Sequence, residues 1–169
     1  MKKVLLYLLI LCLLFLCSCS RSQTNQNTTL CFYYLQNTPT YGTNGSLIGK
    51  ESRNLPDLNG EITDILQVYL QGPQSDTFAK TFPDGLSLVR MNIYENTAEL
   101  VLGGSYDSIT GLDRTFICAC LTLTVCNITG AEQVSIRSEA DVISGAKPII
   151  MTPQSITLLD TSKNEVEND

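Results

Sequence analysis

The sequence predicts an α+β domain in which two helices cover one face of a small mixed sheet, in the order β-α-β-β-α-β. Three observations carry this expectation. Short runs rich in apolar, aromatic and β-branched residues recur at Leu30–Leu35, Leu86–Tyr94, Thr97–Leu102 and Val134–Arg137. Two longer stretches repeat apolar residues at intervals of three and four. Glycine and proline separate the segments where a chain must turn.

Leu30 to Leu35 (LCFYYL) is apolar and aromatic between polar flanks, which predicts a strand. Asn37 to Pro56 is rich in Asn, Gly, Thr and Ser and reads as a long loop. Pro56-Asp57 is expected to open a helix running to about Gln71, with Leu58, Ile62, Ile65, Leu66, Tyr69 and Leu70 on one stripe. Gly72 and Pro73 stop it, since glycine accepts the left-handed cap and proline cannot continue a helix.

Pro83-Asp84-Gly85 is a turn signal into Leu86–Tyr94. That strand and Thr97–Leu102 form a hairpin joined at Glu95-Asn96, with Ala98, Leu100 and Leu102 on one face and Gly103-Gly104 as its end. A second helix spans about Leu112 to Cys126, capped by Thr110 with Asp113 in capping-box position. Its wide apolar set (Leu112, Phe116, Ile117, Cys120, Leu123, Val125) predicts the more buried helix. Val134–Arg137, Lys147–Met151 and Ser155–Leu159 read as strands, and Thr161–Asp169 as an acidic, disordered tail.

Ahead of the domain lies a different kind of segment. Lys2 and Lys3 precede Val4–Leu16, thirteen residues without a charge. As a helix this run is about 20 Å long, short for a membrane span and suited to a signal h-region. It ends at Leu16-Cys17-Ser18-Cys19, which resembles the bacterial lipobox. Cleavage after Ser18 would leave Cys19 as the first residue, carrying fatty-acyl chains such as palmitate. A cleaved secretory signal or an uncleaved anchor are the alternatives. The expected organisation is a signal peptide over 1–18, anchor and tether over 19–29, the domain over 30–160 and the tail over 161–169.

The net charge of −6 argues against nucleic acid, which requires a basic surface, and against adsorption to anionic lipid. The membrane is therefore expected as a partner only through covalent lipid at Cys19. Of seven cysteines, Cys31, Cys118, Cys120 and Cys126 remain in the expected domain. They read as small core residues, with a disulfide from Cys31 to a helix cysteine as the alternative in an oxidising compartment. A metal site is disfavoured: the chain has no histidine, and Cys118 and Cys120 would lie about 200° apart around a helix.

The lack of histidine also removes every histidine-based nucleophile pair, and no phosphate-binding glycine loop is present. Gly103-Gly104-Ser105 reads as a turn, and Asp107 to Asp113 as a capping turn rather than a calcium loop. Glu95, Glu99, Asp57, Glu61 and Asp64 read as solvated surface, and the chain has no Trp platform for sugars. Neither catalytic residues nor a cofactor are therefore expected. The first strand is the sharper candidate. Phe32, Tyr33, Tyr34 and Leu35 form a candidate partner-binding face, with one alternate set facing away from the helices; the C-terminal strands are the competing cover.

This order with its punctuation resembles the GerM domain of sporulation and spore germination. The matching residues are Cys31–Leu35; Tyr69-Leu70-Gln71-Gly72-Pro73; Phe82-Pro83-Asp84-Gly85-Leu86; the Glu95-Asn96 hairpin with Ala98-Glu99-Leu100; and Leu112–Ile128 leading into Ala131–Ile136. They span about Leu30 to Val142. The resemblance implies a fold close to ring-building motifs and a non-catalytic role in assembling envelope proteins, on the extracytoplasmic face of a bacterial membrane. Two departures stand out: this chain has one such domain where the protein that names the family has two, and its second helix is rich in cysteine. The alternative function is a ligand-binding lipoprotein that captures a cell-wall fragment or small solute, motivated by the long loop.

Overall fold

The computed structural model describes residues 29–37, 47–54 and 61–156 of the chain. The expected signal segment, Cys19 and the expected tether up to residue 28, together with 38–46, 55–60 and the expected C-terminal tail, lie outside them. Within the described residues the fold is α+β, as expected, but it is built on two sheets rather than one.

The first sheet is a hairpin of β1 (Thr29–Leu35) and β2 (Ile48–Asn54), antiparallel with Phe32 opposite Glu51 and Tyr34 opposite Gly49. β2 corrects the reading of 37–56 as loop throughout. Its sequence, IGKESRN, lacks the apolar alternation that marks a half-buried strand, because the residues it turns inward are charged. α1 follows as Ile62–Leu70. Its start is later than the expected Asp57: Glu61 is extended, with φ −80° and ψ 124°.

The second sheet has four strands in the order β3-β4-β5-β6. β3 (Leu86–Tyr94) and β4 (Thr97–Gly104) form the expected hairpin, with Glu95 at φ 52° in the turn. β4 runs two residues past its expected end, through both glycines. Gly104 shows why glycine is needed there: its φ is 66°, and a Cβ would lie 1.8 Å from the Gly85 carbonyl oxygen. A short 3-10 turn, Ser105–Ser108, then leads to α2 (Gly111–Thr129). β5 (Gln133–Ser138) pairs parallel with β4, so β4-α2-β5 is a crossover unit; β6 (Ile149–Met151) closes the sheet antiparallel to β5.

α2 is the centre of the fold. It meets β1 as well as β4, β5 and β6. Its residues from Ile117 to Thr122 and from Thr124 to Cys126 are buried, in keeping with a helix that is apolar all round. Its length and composition would suit a membrane span, yet these contacts make it the core helix of the domain. Two expectations for α2 fail. Leu112 is 70% exposed, in a first turn whose residues 111–113 all face solvent, and the buried part of the helix begins at Ile117. Thr110 accepts no capping hydrogen bond; Arg114 instead reaches back to the carbonyls of Ile109 (2.7 Å) and Tyr106 (3.3 Å).

The inner face of the four-stranded sheet presents Leu88, Met91, Ala98, Leu100, Leu102, Val134, Ile136 and Ile149 to the core that both helices share. Two short helices follow among the described residues. α3 (Glu139–Ser144) has a full capping box, Ser138 Oγ accepting from Asp141 N–H at 2.9 Å and Asp141 Oδ2 from Ser138 N–H at 3.0 Å. α4 (Pro153–Ile156) occupies the start of the expected final strand, and the rest of that strand lies outside the described residues.

Candidate functional site

The candidate site grows from the β1-β2 hairpin. β1 alternates, so its residues part into two sets. Phe32 and Tyr34 point inward and are fully buried, which corrects their placement on a partner-binding face. Phe32 stacks on Tyr69 of α1 at a ring centroid distance of 5.2 Å, Tyr34 meets the same ring tilted at 5.0 Å, and Phe82 sits edge-on 4.8 Å from Tyr69. The other set, Cys31, Tyr33 and Leu35, is half-buried, and Leu35 packs at the margin of the core.

A β1 edge left open would be a pairing site for another strand. Here the edge away from β2 is closed by pieces distant in sequence. Tyr33 N–H donates to Thr124 Oγ1 of α2 at 2.9 Å, and the Tyr33 carbonyl accepts from the Tyr69 hydroxyl at 2.7 Å. Leu35 N–H donates to Thr81 Oγ1 at 3.0 Å, and its carbonyl accepts from Ala79 N–H at 2.8 Å.

Opposite the aromatic cluster, β2 turns Glu51 and Arg53 inward, 9% and 5% exposed. Two residues apart on a strand, they share a face and form an ion pair: Arg53 Nε donates to Glu51 Oε2 at 2.9 Å and Nη2 to the same oxygen at 2.5 Å. Arg53 Nη2 also donates to the Gly72 carbonyl at 2.7 Å and to the Tyr34 hydroxyl at 3.1 Å. The guanidinium lies over the Phe32 ring, 5.0 Å from its centroid. On the far side, Glu51 Oε1 accepts from the backbone N–H groups of Gln74 (3.0 Å) and Ser75 (2.8 Å). The pair therefore clasps the hairpin to the turn that follows α1. Burial raises the Tyr34 hydroxyl well above its ordinary pKa, against the opposing pull of the Arg53 charge. Burial likewise pushes Tyr69 up.

Sequence reasoning missed Glu51 and Arg53. The available signal was opposite charges at i and i+2 within a polar segment beside a strand, which looks like solvated loop until a partner strand is known.

The four domain cysteines are free thiols, Cys118, Cys120 and Cys126 buried and Cys31 half-buried. Burial pushes Cys120 up to about 12, so this thiol is held neutral. Cys118 is raised by burial, against its contact with the Tyr106 hydroxyl at 3.3 Å. Glu99 pairs with Arg137 at 3.1 Å on the sheet's outer face, Glu95 is exposed in the β-hairpin, and Glu61 and Asp64 are exposed at the start of α1. Asp57 and Cys19 lie outside the described residues. Asp107 sits in the 3-10 turn and Asp113 in the first turn of α2.

Two surface depressions accompany this arrangement. One, of about 270 Å³, lies between α1 and β3 and is lined by Glu61, Ile62, Thr63, Met91 and Ile93. The other, of about 220 Å³, lies between α1 and the 80–86 turn, with Leu70, Lys80, Phe82 and Asp84 in its wall. Both are smaller than the cavities of about 300–1,000 Å³ that enclose small ligands. No family model, curated protein or solved structure matches the chain.

Proposed function

We propose that the chain is a non-catalytic lipoprotein of the bacterial cell envelope, held on the extracytoplasmic face through lipid at Cys19 and acting as an assembly module for other envelope proteins. The observation that carries this reading is the charge-free run Val4–Leu16 ending at Leu16-Cys17-Ser18-Cys19. A second support is the element order β1, α1, β3, β4, α2, β5, a β-α-β-β-α-β succession with β2 inserted, which agrees with the element order of the GerM resemblance. Sporulation or germination is the setting that resemblance implies.

A chain held by lipid needs no basic surface to stay at the membrane. Ligand capture by the 37–56 loop has less to rest on, because 48–54 is strand with its inward side chains already bonded to one another. Metabolic labelling with a fatty acid tests the anchor: Cys19→Ala loses the label and Cys17→Ala keeps it. The reverse pattern relocates the cleavage site, and no label on the parent chain removes the anchor. Isolating the intact protein from membranes after in-cell crosslinking tests the module, and a strictly solitary protein sinks it.

A further inference from the structure

Of the seven large apolar side chains exposed among the described residues, three belong to β3: Val89 (49%), Ile93 (44%) and Tyr94 (63%). β3 is also an outer strand of its sheet, paired with β4 on one side only, and at nine residues it is far longer than β6, the opposite edge. A long edge with apolar side chains is a template for another strand unless charge, a bulge or a cover blunts it. β3 has two such guards, Arg90 and the register shift between Leu88 and Arg90. Both sit in its first half, and Met91 to Tyr94 carries neither.

The 270 Å³ depression lies beside that second half, where Met91 and Ile93 face the start of α1. A strand added to β3 would place alternate side chains about 6.6 Å apart on this same helix-covered side. One of them would fall into the depression, and the next would approach the exposed carboxylate of Glu61 in its wall. The open backbone thus calls for an extended chain, the depression for an apolar side chain, and the Glu61 carboxylate for a cation.

We propose that the Met91–Tyr94 half of β3 is a docking edge for an extended segment of a partner protein, with an apolar residue and a lysine or arginine two positions apart. This rests on the assembly-module reading and names the chemistry of its partner. The edge supplies main-chain hydrogen bonds and the depression supplies selectivity.

The test uses the full-length chain in mild detergent and a fluorescent acetylated heptapeptide, TITKTIT, which presents isoleucine and lysine on one face. Anisotropy should show saturable binding, weakened about tenfold when the peptide's backbone amides are N-methylated. Ile93→Lys should abolish binding while circular dichroism stays native; Glu61→Gln should weaken it and reduce its salt dependence. Absent binding, equal binding of the methylated peptide, or indifference to Ile93→Lys overturns the proposal. Self-association that Ile93→Lys abolishes would assign the edge to a second copy and also overturn it. If Ile93→Lys protein still crosslinks its cellular partners, this edge is excluded while the assembly reading survives.

Discussion

Replacing Glu51 by leucine should come close to unfolding the domain. The change leaves the Arg53 guanidinium, 5% exposed, without its counter-charge and removes the acceptor for the Gln74 and Ser75 N–H groups. Breaking one side of a buried ion pair costs about 3–5 kcal/mol. The two part-buried N–H groups left without an acceptor add less than the ~1–3 kcal/mol of a fully buried one, because water can reach Gln74. Against a whole-domain stability of about 5–15 kcal/mol, that loss is most of what a typical domain has. Arg53→Met should cost less, because Glu51 keeps its two backbone donors. The double variant should recover part of the loss, with a coupling energy of at least about 2 kcal/mol. Urea unfolding of the full-length chain, followed by far-UV circular dichroism, provides the cycle. Single losses under about 1 kcal/mol, the range of exposed pairs, would refute the clasp, and so would strictly additive losses.

Other consequences are more local. Gly104→Ala should destabilise by at least about 3 kcal/mol, since its new methyl meets the Gly85 carbonyl at 1.8 Å and its φ is 66°; thermal unfolding would register it. Thr124→Val should cost about 1–3 kcal/mol by stranding the Tyr33 N–H, and hydrogen exchange should accelerate at that amide, whereas Thr124→Ser should restore protection. Alkaline pH should weaken the fold through Cys120. In the unfolded chain a thiol ionises near about 8.5. Burial holds it neutral up to about 12 in the native state, so the unfolded state sheds its proton first. Stability therefore falls between those values by up to about 1.4 kcal/mol per pH unit, and Cys120→Ala should flatten the slope in a pH series of urea titrations. An unchanged slope would count against this account.

The elements legible in the sequence were those whose own pattern decides them. Leu86–Tyr94 and Thr97–Gly104 alternate around a two-residue turn, and Gly111–Thr129 is apolar enough to be a core helix wherever it is placed. The α+β class and the helix stop at Gly72-Pro73 follow from the same local chemistry. α3 was missed although its capping residues, Ser138 and Asp141, stand three apart, because six residues give too little periodicity to notice.

What the tertiary structure decided was partnership. Whether Phe32 and Tyr34 or Tyr33 and Leu35 face the core depends on where α1 and α2 lie, since a strand's two faces are equivalent until something covers one. Whether 48–54 is loop or β2 depends on β1 being there to pair with it. Most of all, burying Glu51 and Arg53 is affordable only where the Gly72 carbonyl, the Tyr34 hydroxyl and two backbone N–H groups converge on them. Charge read along a sequence predicts exposure because isolated ions stay in water; only the fold can supply the partners that let a charged pair leave it.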